Sequence, residues 1–177
     1  MTTPPTVLDD AGIRQKAAAI RLVVFDVDGV LTDGRITYTS DGQEIKSFNV
    51  QDGAALKLLM SAGIEVAIIT GRSSEMVQRR ARELGIAHLY QGSEDKITSF
   101  QTLLAQLDLA PSQSAHVGDD LPDLALFDLV SMSVSVPNGH PVVREAADWV
   151  TQTAGGQGVA REVCEIVLRA QDKWPYG

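Results

Sequence analysis

The segment Val23-Val24-Phe25-Asp26-Val27-Asp28-Gly29 constrains the fold more than any other part of the chain. An apolar run rich in branched side chains stops at two aspartates separated by one residue, and a glycine follows. An apolar run without alternation fits a strand buried on both faces, as in a parallel sheet flanked by helices. In such sheets ligands bind at the carboxyl ends of the strands. Asp26 and Asp28 are therefore expected at a binding edge. Carboxylates held this close repel one another unless a cation stands between them.

The rest of the chain alternates between strand and helix patterns. Residues 20–27 predict the first strand, and 64–70, 86–90, 115–118 and 130–136 predict further buried ones, with 148–150 as a short edge strand. Helices are expected over 11–19, 52–62, 74–84, 94–107, 121–127 and 159–171. Asp52 and Ser73 or Ser74 are the expected caps, and Gly63 and Gly85 the stops. This alternation predicts an α/β, Rossmann-like fold: an open, mostly parallel sheet with helices on both faces. Residues 35–50 are the exception. There Ile36 and Tyr38, then Ile45, Phe48 and Val50, flank Ser40-Asp41-Gly42, a strong signal for a β-hairpin. Residues 1–10 are polar and carry Pro4 and Pro5. Residues 1–19 thus read as a partly disordered N-terminal segment, and 20–177 as one domain.

Charge narrows the partners. The chain has 15 Lys and Arg against 23 Asp and Glu, a net charge of −8. That balance disfavours a nucleic-acid or anionic-membrane surface. No apolar run reaches the ~18 residues of a membrane span. The N-terminal stretch lacks the apolar centre of a signal peptide, so a cytoplasmic protein is expected. Cys164 is the only cysteine, which rules out an intrachain disulfide and suits a small buried apolar residue. His88 and His116 fall in predicted strands, where a core role outweighs metal binding.

Four polar signals follow predicted strands: Asp26 with Asp28, Thr70-Gly71-Arg72, Lys96, and Gly118-Asp119-Asp120. A parallel sheet would bring them together. Their chemistry fits one task. Asp26 could attack phosphorus. Asp28 could protonate the leaving oxygen and then deprotonate water. Asp26 and Asp119 offer hard oxygen ligands for Mg²⁺. Thr70 and Lys96 could hold phosphoryl oxygens. Phosphoryl transfer depends mainly on positioning and electrostatics, which such a set supplies. Asp123 reads as structural rather than as a ligand.

These four motifs, in this order, resemble those of the haloacid dehalogenase (HAD) phosphatase superfamily. Phe48-Asn49-Val50-Gln51-Asp52-Gly53, Ala67 to Arg72, His88 to Gly92 and Gly155 to Val163 are similar to one subfamily within it, the 3-deoxy-D-manno-octulosonate 8-phosphate (KDO 8-phosphate) phosphatases. The resemblance implies a phosphomonoesterase that releases KDO for lipopolysaccharide synthesis through an aspartyl-phosphate. Asp26 would be the nucleophile and Asp28 the acid/base. Mg²⁺ would be held by the Asp26 carboxylate, the Asp28 backbone carbonyl and Asp119. Substrate contacts would fall on Asp28, Asn49, Val50, Gln51, Asp52, Gly53, Lys57, Arg72, Arg80 and Lys96. Arginine is the commoner residue in that subfamily at the positions of Gln51 and Lys57. The hairpin at 35–50 leaves no room for a large cap domain. The resemblance therefore implies a homotetramer whose hairpins, exposing Ile36, Tyr38, Ile45 and Phe48, close over neighbouring sites. Two rival readings are a phosphatase for a nine-carbon sugar-acid 9-phosphate and an inactive scaffold of the same fold. Retention of Asp26, Asp28, Lys96 and Asp119 argues against the scaffold.

Overall fold

The computed structural model describes residues 10–176. The expectation of a loose terminus at 1–10 falls almost wholly outside them. Six parallel strands form one sheet in the order β5-β4-β1-β6-β7-β8. They are β1 (Leu22–Phe25), β4 (Glu65–Ile69), β5 (His88–Tyr90), β6 (Ser114–Val117), β7 (Met132–Ser135) and β8 (Trp149–Val150). Two short strands, β2 (Thr37–Tyr38) and β3 (Glu44–Ile45), pair antiparallel as the separate hairpin. The predicted α/β architecture is the observed one.

Both faces of the central strands are covered, which explains why they read as unbroken apolar runs. Val23 and Phe25 of β1, with Val66 and Ile68 of β4, enter one core. That core also takes side chains from α1 (Asp10–Ala18), α2 (Val50–Ser61), α3 (Glu75–Leu84) and α7 (Val159–Ala170). Leu22, Val24, Ala67 and Ile69 point the other way, onto Phe100, Leu103 and Leu104 of α4 (Lys96–Leu107) and Leu126 of α5 (Leu124–Phe127). Phe25 and Phe100 are fully buried, and truncating either to alanine is expected to cost about 3–5 kcal/mol. Ile13 and Ala17 of α1 lie in the first core.

Three local expectations need correction. Asn49, not Asp52, caps α2, its side chain accepting the N–H of Gln51. The Asp52 carboxylate turns away and accepts the N–H of Arg161, in the first turn of α7, at 2.8 Å. Gly158 caps α7 without a side chain, so Asp52 supplies the missing acceptor. Ser74 does stand at the head of α3, but its hydroxyl bonds Glu44 of the hairpin instead of capping the helix. Phe48 is half-buried against the main core rather than exposed. The structure also contains a helix without a matching sequence expectation, α6 (Pro141–Ala146), which starts on a proline where a missing N–H costs nothing.

Candidate active site

Adjacency in the sheet builds the site. β4, β1 and β6 are neighbours and run parallel, so their carboxyl ends lie side by side. Thr70 follows β4, Asp26 follows β1, and Gly118-Asp119 follow β6. Lys96 is the first residue of α4, which leaves β5 on the same edge. These tips line one crevice of about 370 Å³, shared by Asp26, Asp28, Thr70, Arg72, Lys96, Asp119 and Asp123.

Lys96 is its electrostatic centre. Its ammonium donates to Asp26 Oδ1 at 2.9 Å and to Asp123 Oδ1 at 2.7 Å. Burial pulls Lys96 down, but the two carboxylates outweigh it and hold the amine above its ordinary value. Burial likewise pushes Asp123 up, and His116 and Lys96 overturn that and hold it well below the usual carboxylate range. Asp26 ends above its ordinary value, because burial outweighs the pull of Lys96. Asp119 is pushed from 3.8 up to about 7 by burial and by the Asp26 and Asp123 charges.

This congestion tests whether a cation fits. Asp26, Asp119 and Asp123 each offer an oxygen within 4.8 Å of the others. Asp123 is already committed. Its Oδ1 accepts from Lys96 and from His116 Nε2, and its Oδ2 accepts the N–H groups of Asp119 and Asp120. Asp26 and Asp119 remain, two hard oxygen donors suited to Mg²⁺. The raised Asp119 is what a carboxylate site shows when its partner charges are all negative but one. The donor set fits a hard divalent cation.

The loop that carries Asp28 is clamped. Gly29 takes φ +92, and a Cβ there would stand 2.0 Å from Asp119 Oδ2, so no other residue fits. Asn138 donates to Gly29 O at 2.9 Å and accepts the Gly155 N–H at 2.7 Å. A Cβ on Gly155 would meet Gly29 O at 1.8 Å. The Gly155-Gly156 stretch therefore packs against the back of the loop at Gly29, a few residues ahead of α7. His116 is fully buried, with Nδ1 3.2 Å from Val24 O and Nε2 2.8 Å from Asp123. Its core placement matches expectation, and it also braces Asp123 from beneath.

The remaining candidates separate into two places. Arg72 is half-exposed on the crevice rim, 3.7 Å from Asp28 Oδ2 and 3.6 Å from Glu44 Oε1. Asn49, Asp52, Gly53 and Arg80 line a different hollow, with Phe48. Arg80 donates to Asn49 O at 3.3 Å and lies over the Phe48 ring. Val50, Gln51 and Lys57 are exposed. Within one chain, none of these seven lines the crevice of Asp26 and Lys96.

Three supporting residues escaped the sequence reading: Lys46, Asn138 and His116 as a brace. Lys46 pairs with Asp28, and its side chain is 1% exposed. A usable signal existed for it, because the alternation expected of the hairpin puts Glu44 and Lys46, two apart, on the same face. Asn138 carried none, since its partners lie far away in sequence.

A haloacid dehalogenase-like hydrolase family profile matches residues 85–163. The chain is 48% identical over 163 residues, 92% of this chain and 87% of the relative, to the 3-deoxy-D-manno-octulosonate 8-phosphate phosphatase KdsC of Escherichia coli. The crystal structure of the Yersinia pestis phosphatase of that name superposes with a TM-score of 0.90 at 47% identity, covering 92% of this chain and 88% of the other. The Moraxella catarrhalis phosphatase, solved with magnesium ion, phosphate ion and KDO, gives a TM-score of 0.88 at 51% identity, covering 90% and 92%.

Proposed function

The chain belongs to the KDO 8-phosphate phosphatases, a family of haloacid dehalogenase-like hydrolases, and from that premise we propose how its own residues perform the reaction. The enzyme hydrolyses KDO 8-phosphate to KDO and inorganic phosphate, the sugar acid serving lipopolysaccharide synthesis. Asp26 attacks phosphorus through a carboxylate oxygen, and the bond from phosphorus to the sugar C8 oxygen breaks. Asp28 gives that oxygen its proton. Water then attacks the aspartyl-phosphate, Asp28 takes its proton, and the Asp26 carboxylate leaves. Lys96 and Thr70 hold the phosphoryl oxygens, Lys96 already fixed between Asp26 and Asp123.

Mg²⁺ would sit against the Asp26 and Asp119 carboxylates and the Asp28 backbone carbonyl. Bound there, it neutralises charge on the phosphoryl group. Arg72, on the rim, is placed to grip the sugar carboxylate by a forked pair of hydrogen bonds. Asn49, Val50, Gln51, Gly53, Lys57 and Arg80 belong to a second surface, which would complete a neighbour's site in a homotetramer. Asp52 braces that surface from below. Among the described residues no helix is long and apolar enough to cross a membrane, and our reading places the enzyme in the cytoplasm.

One observation carries this reading: the meeting of Asp26, Thr70 and Asp119 at three neighbouring strand ends with Lys96 at a helix start. Phosphate release across sugar phosphates of five to nine carbons, with and without Mg²⁺, tests it. KDO 8-phosphate should lead, and only with the cation. A preference for a nine-carbon 9-phosphate would move the substrate without moving the chemistry.

A further inference from the structure

The Lys46 side chain is buried where burial is unexpected. It stands just past β3 on a two-stranded hairpin, yet its side chain is 1% exposed. An ammonium taken from water needs carboxylate partners. It has two: it bonds Asp28 Oδ1, and it lies 3.6 Å from Glu44 Oε1. Pinning the hairpin does not require Lys46, because Glu44 is already bonded to Ser74 at the head of α3 and faces Arg72.

The direction of approach is informative. Asp28 lines the catalytic crevice, whereas Lys46 lines a neighbouring hollow with Phe48, Met76 and Arg80. Lys46 thus holds Asp28 from the flap side. The other oxygen, Oδ2, stands at the crevice rim, 3.7 Å from Arg72 Nε.

We propose that Lys46 is a positioning residue for the phosphatase reaction. By occupying Asp28 Oδ1 it presents Oδ2 as the one oxygen that exchanges the proton. As the bond from Asp26 to phosphorus forms and the bond to the leaving oxygen breaks, the Oδ2 proton passes to that oxygen. The hairpin then orients the acid/base from within the same chain, besides any role over a neighbour's site. This inference rests on Asp28 being the acid/base, and the test separates the two ideas.

The test compares kcat/KM for phenyl phosphate and 4-nitrophenyl phosphate in wild type, Lys46→Met, Lys46→Arg and Asp28→Asn. The parameter kcat/KM covers steps only through loss of the leaving group, so the water step does not enter. The nitrophenolate leaves readily without a proton, and phenolate needs one. A ratio of the two substrates is independent of the folded fraction, so partial misfolding cancels. Lys46→Met should raise the nitrophenyl-to-phenyl ratio about tenfold, in the direction of Asp28→Asn, as expected when general-acid help is weakened. Lys46→Arg, which keeps the charge but not the reach, should fall between wild type and Lys46→Met. A raised ratio in Asp28→Asn with a wild-type ratio in both Lys46 variants overturns the role of Lys46. An unchanged ratio in Asp28→Asn overturns the acid/base assignment, and Lys46 with it.

Discussion

Asp52 Oδ1 accepts the backbone N–H of Arg161 at 2.8 Å, so a carboxylate on α2 caps the distant helix α7. The other oxygen, Oδ2, is buried without a hydrogen-bond partner. Burial is also the main reason the Asp52 carboxyl is raised above its ordinary value. The bond to Arg161 is useful and the negative charge is not.

Two substitutions should therefore diverge. Asp52→Ala removes the cap and is expected to cost about 0.5–2 kcal/mol. Asp52→Asn keeps an acceptor and sheds the buried charge, so it should match or exceed wild-type stability. Thermal melts of both variants check this. A wild-type Tm in Asp52→Ala, coupled to a raised KM for KDO 8-phosphate, would instead make Asp52 a direct substrate contact.

Asp26→Asn should abolish turnover, because an amide cannot act as the phosphorus nucleophile. Asp26 is held at 2.9 Å from Lys96 and lines the crevice, so the substitution alters the reacting atom itself. Phosphate release above about 1% of wild type, in protein shown by mass to retain the amide, would remove Asp26 from the role. That threshold sits well inside the rate loss such a nucleophile's removal causes.

Much of the site was legible because a parallel sheet turns distant sequence positions into neighbours. Asp26, Thr70 and Asp119 each end an apolar run, and three runs that pair in parallel must end together. Lys96 followed as the head of the next helix. What escaped was whatever depends on a partner remote in sequence. Asn138 matters through Gly29 and Gly155, and Lys46 through Asp28 across the hairpin. Local chemistry misled at two expected caps: Asp52 sits near a helix start, but the helix it caps is α7, and the Ser74 hydroxyl bonds Glu44 instead of capping α3. Phe48 read as exposed because hairpin alternation gives a face and not what covers it.

Asp119 sets a pH dependence in metal-free protein. Its folded value is raised from 3.8 to about 7. Between those values the folded state binds the extra proton, so stability falls as pH rises through that window. Asp119→Asn removes the titration and should be the more stable protein at pH 8 in chelator. The difference should be about 5 °C in Tm and should shrink by pH 4. Mg²⁺ should raise Tm at pH 8 in wild type only. Identical Tm profiles for the two proteins in chelator would show that Asp119 carries no such charge strain.

Arg72→Ala should damage hydrolysis of KDO 8-phosphate more than that of 4-nitrophenyl phosphate. Arg72 is half-exposed, lines the crevice and stands 3.7 Å from Asp28 Oδ2. A guanidinium lost from a carboxylate contact typically costs about 1.5–3 kcal/mol, roughly a 10- to 150-fold loss in kcat/KM. The aryl substrate has no carboxylate and should lose less than about threefold by the same reasoning. Equal losses would assign Arg72 to the phosphoryl group or to the Glu44 contact that steadies the hairpin.

The crevice is lined by residues just past the strand ends and by Lys96 at the start of α4, and Arg80, Asn49, Asp52 and Gly53 lie in another hollow. Ile36, Tyr38 and Ile45 on the hairpin are 46%, 59% and 47% exposed, and Val50 beyond it 79%. Exposed apolar residues grouped in this way suit a contact with another copy, and cyclic closure would let every hairpin cover a neighbour's crevice. Ile36→Asp with Ile45→Asp would place unpaired charge in that contact and should split a homotetramer. Phe48 is unsuitable for this purpose, because it packs into its own core and would report folding instead. The separated chains keep Asp26, Lys96 and Asp119, so they should still cleave 4-nitrophenyl phosphate while losing preference for the sugar phosphate. Sedimentation and a two-substrate assay on the same sample decide the matter: a wild-type monomer with full sugar-phosphate preference would show that one chain selects its substrate alone.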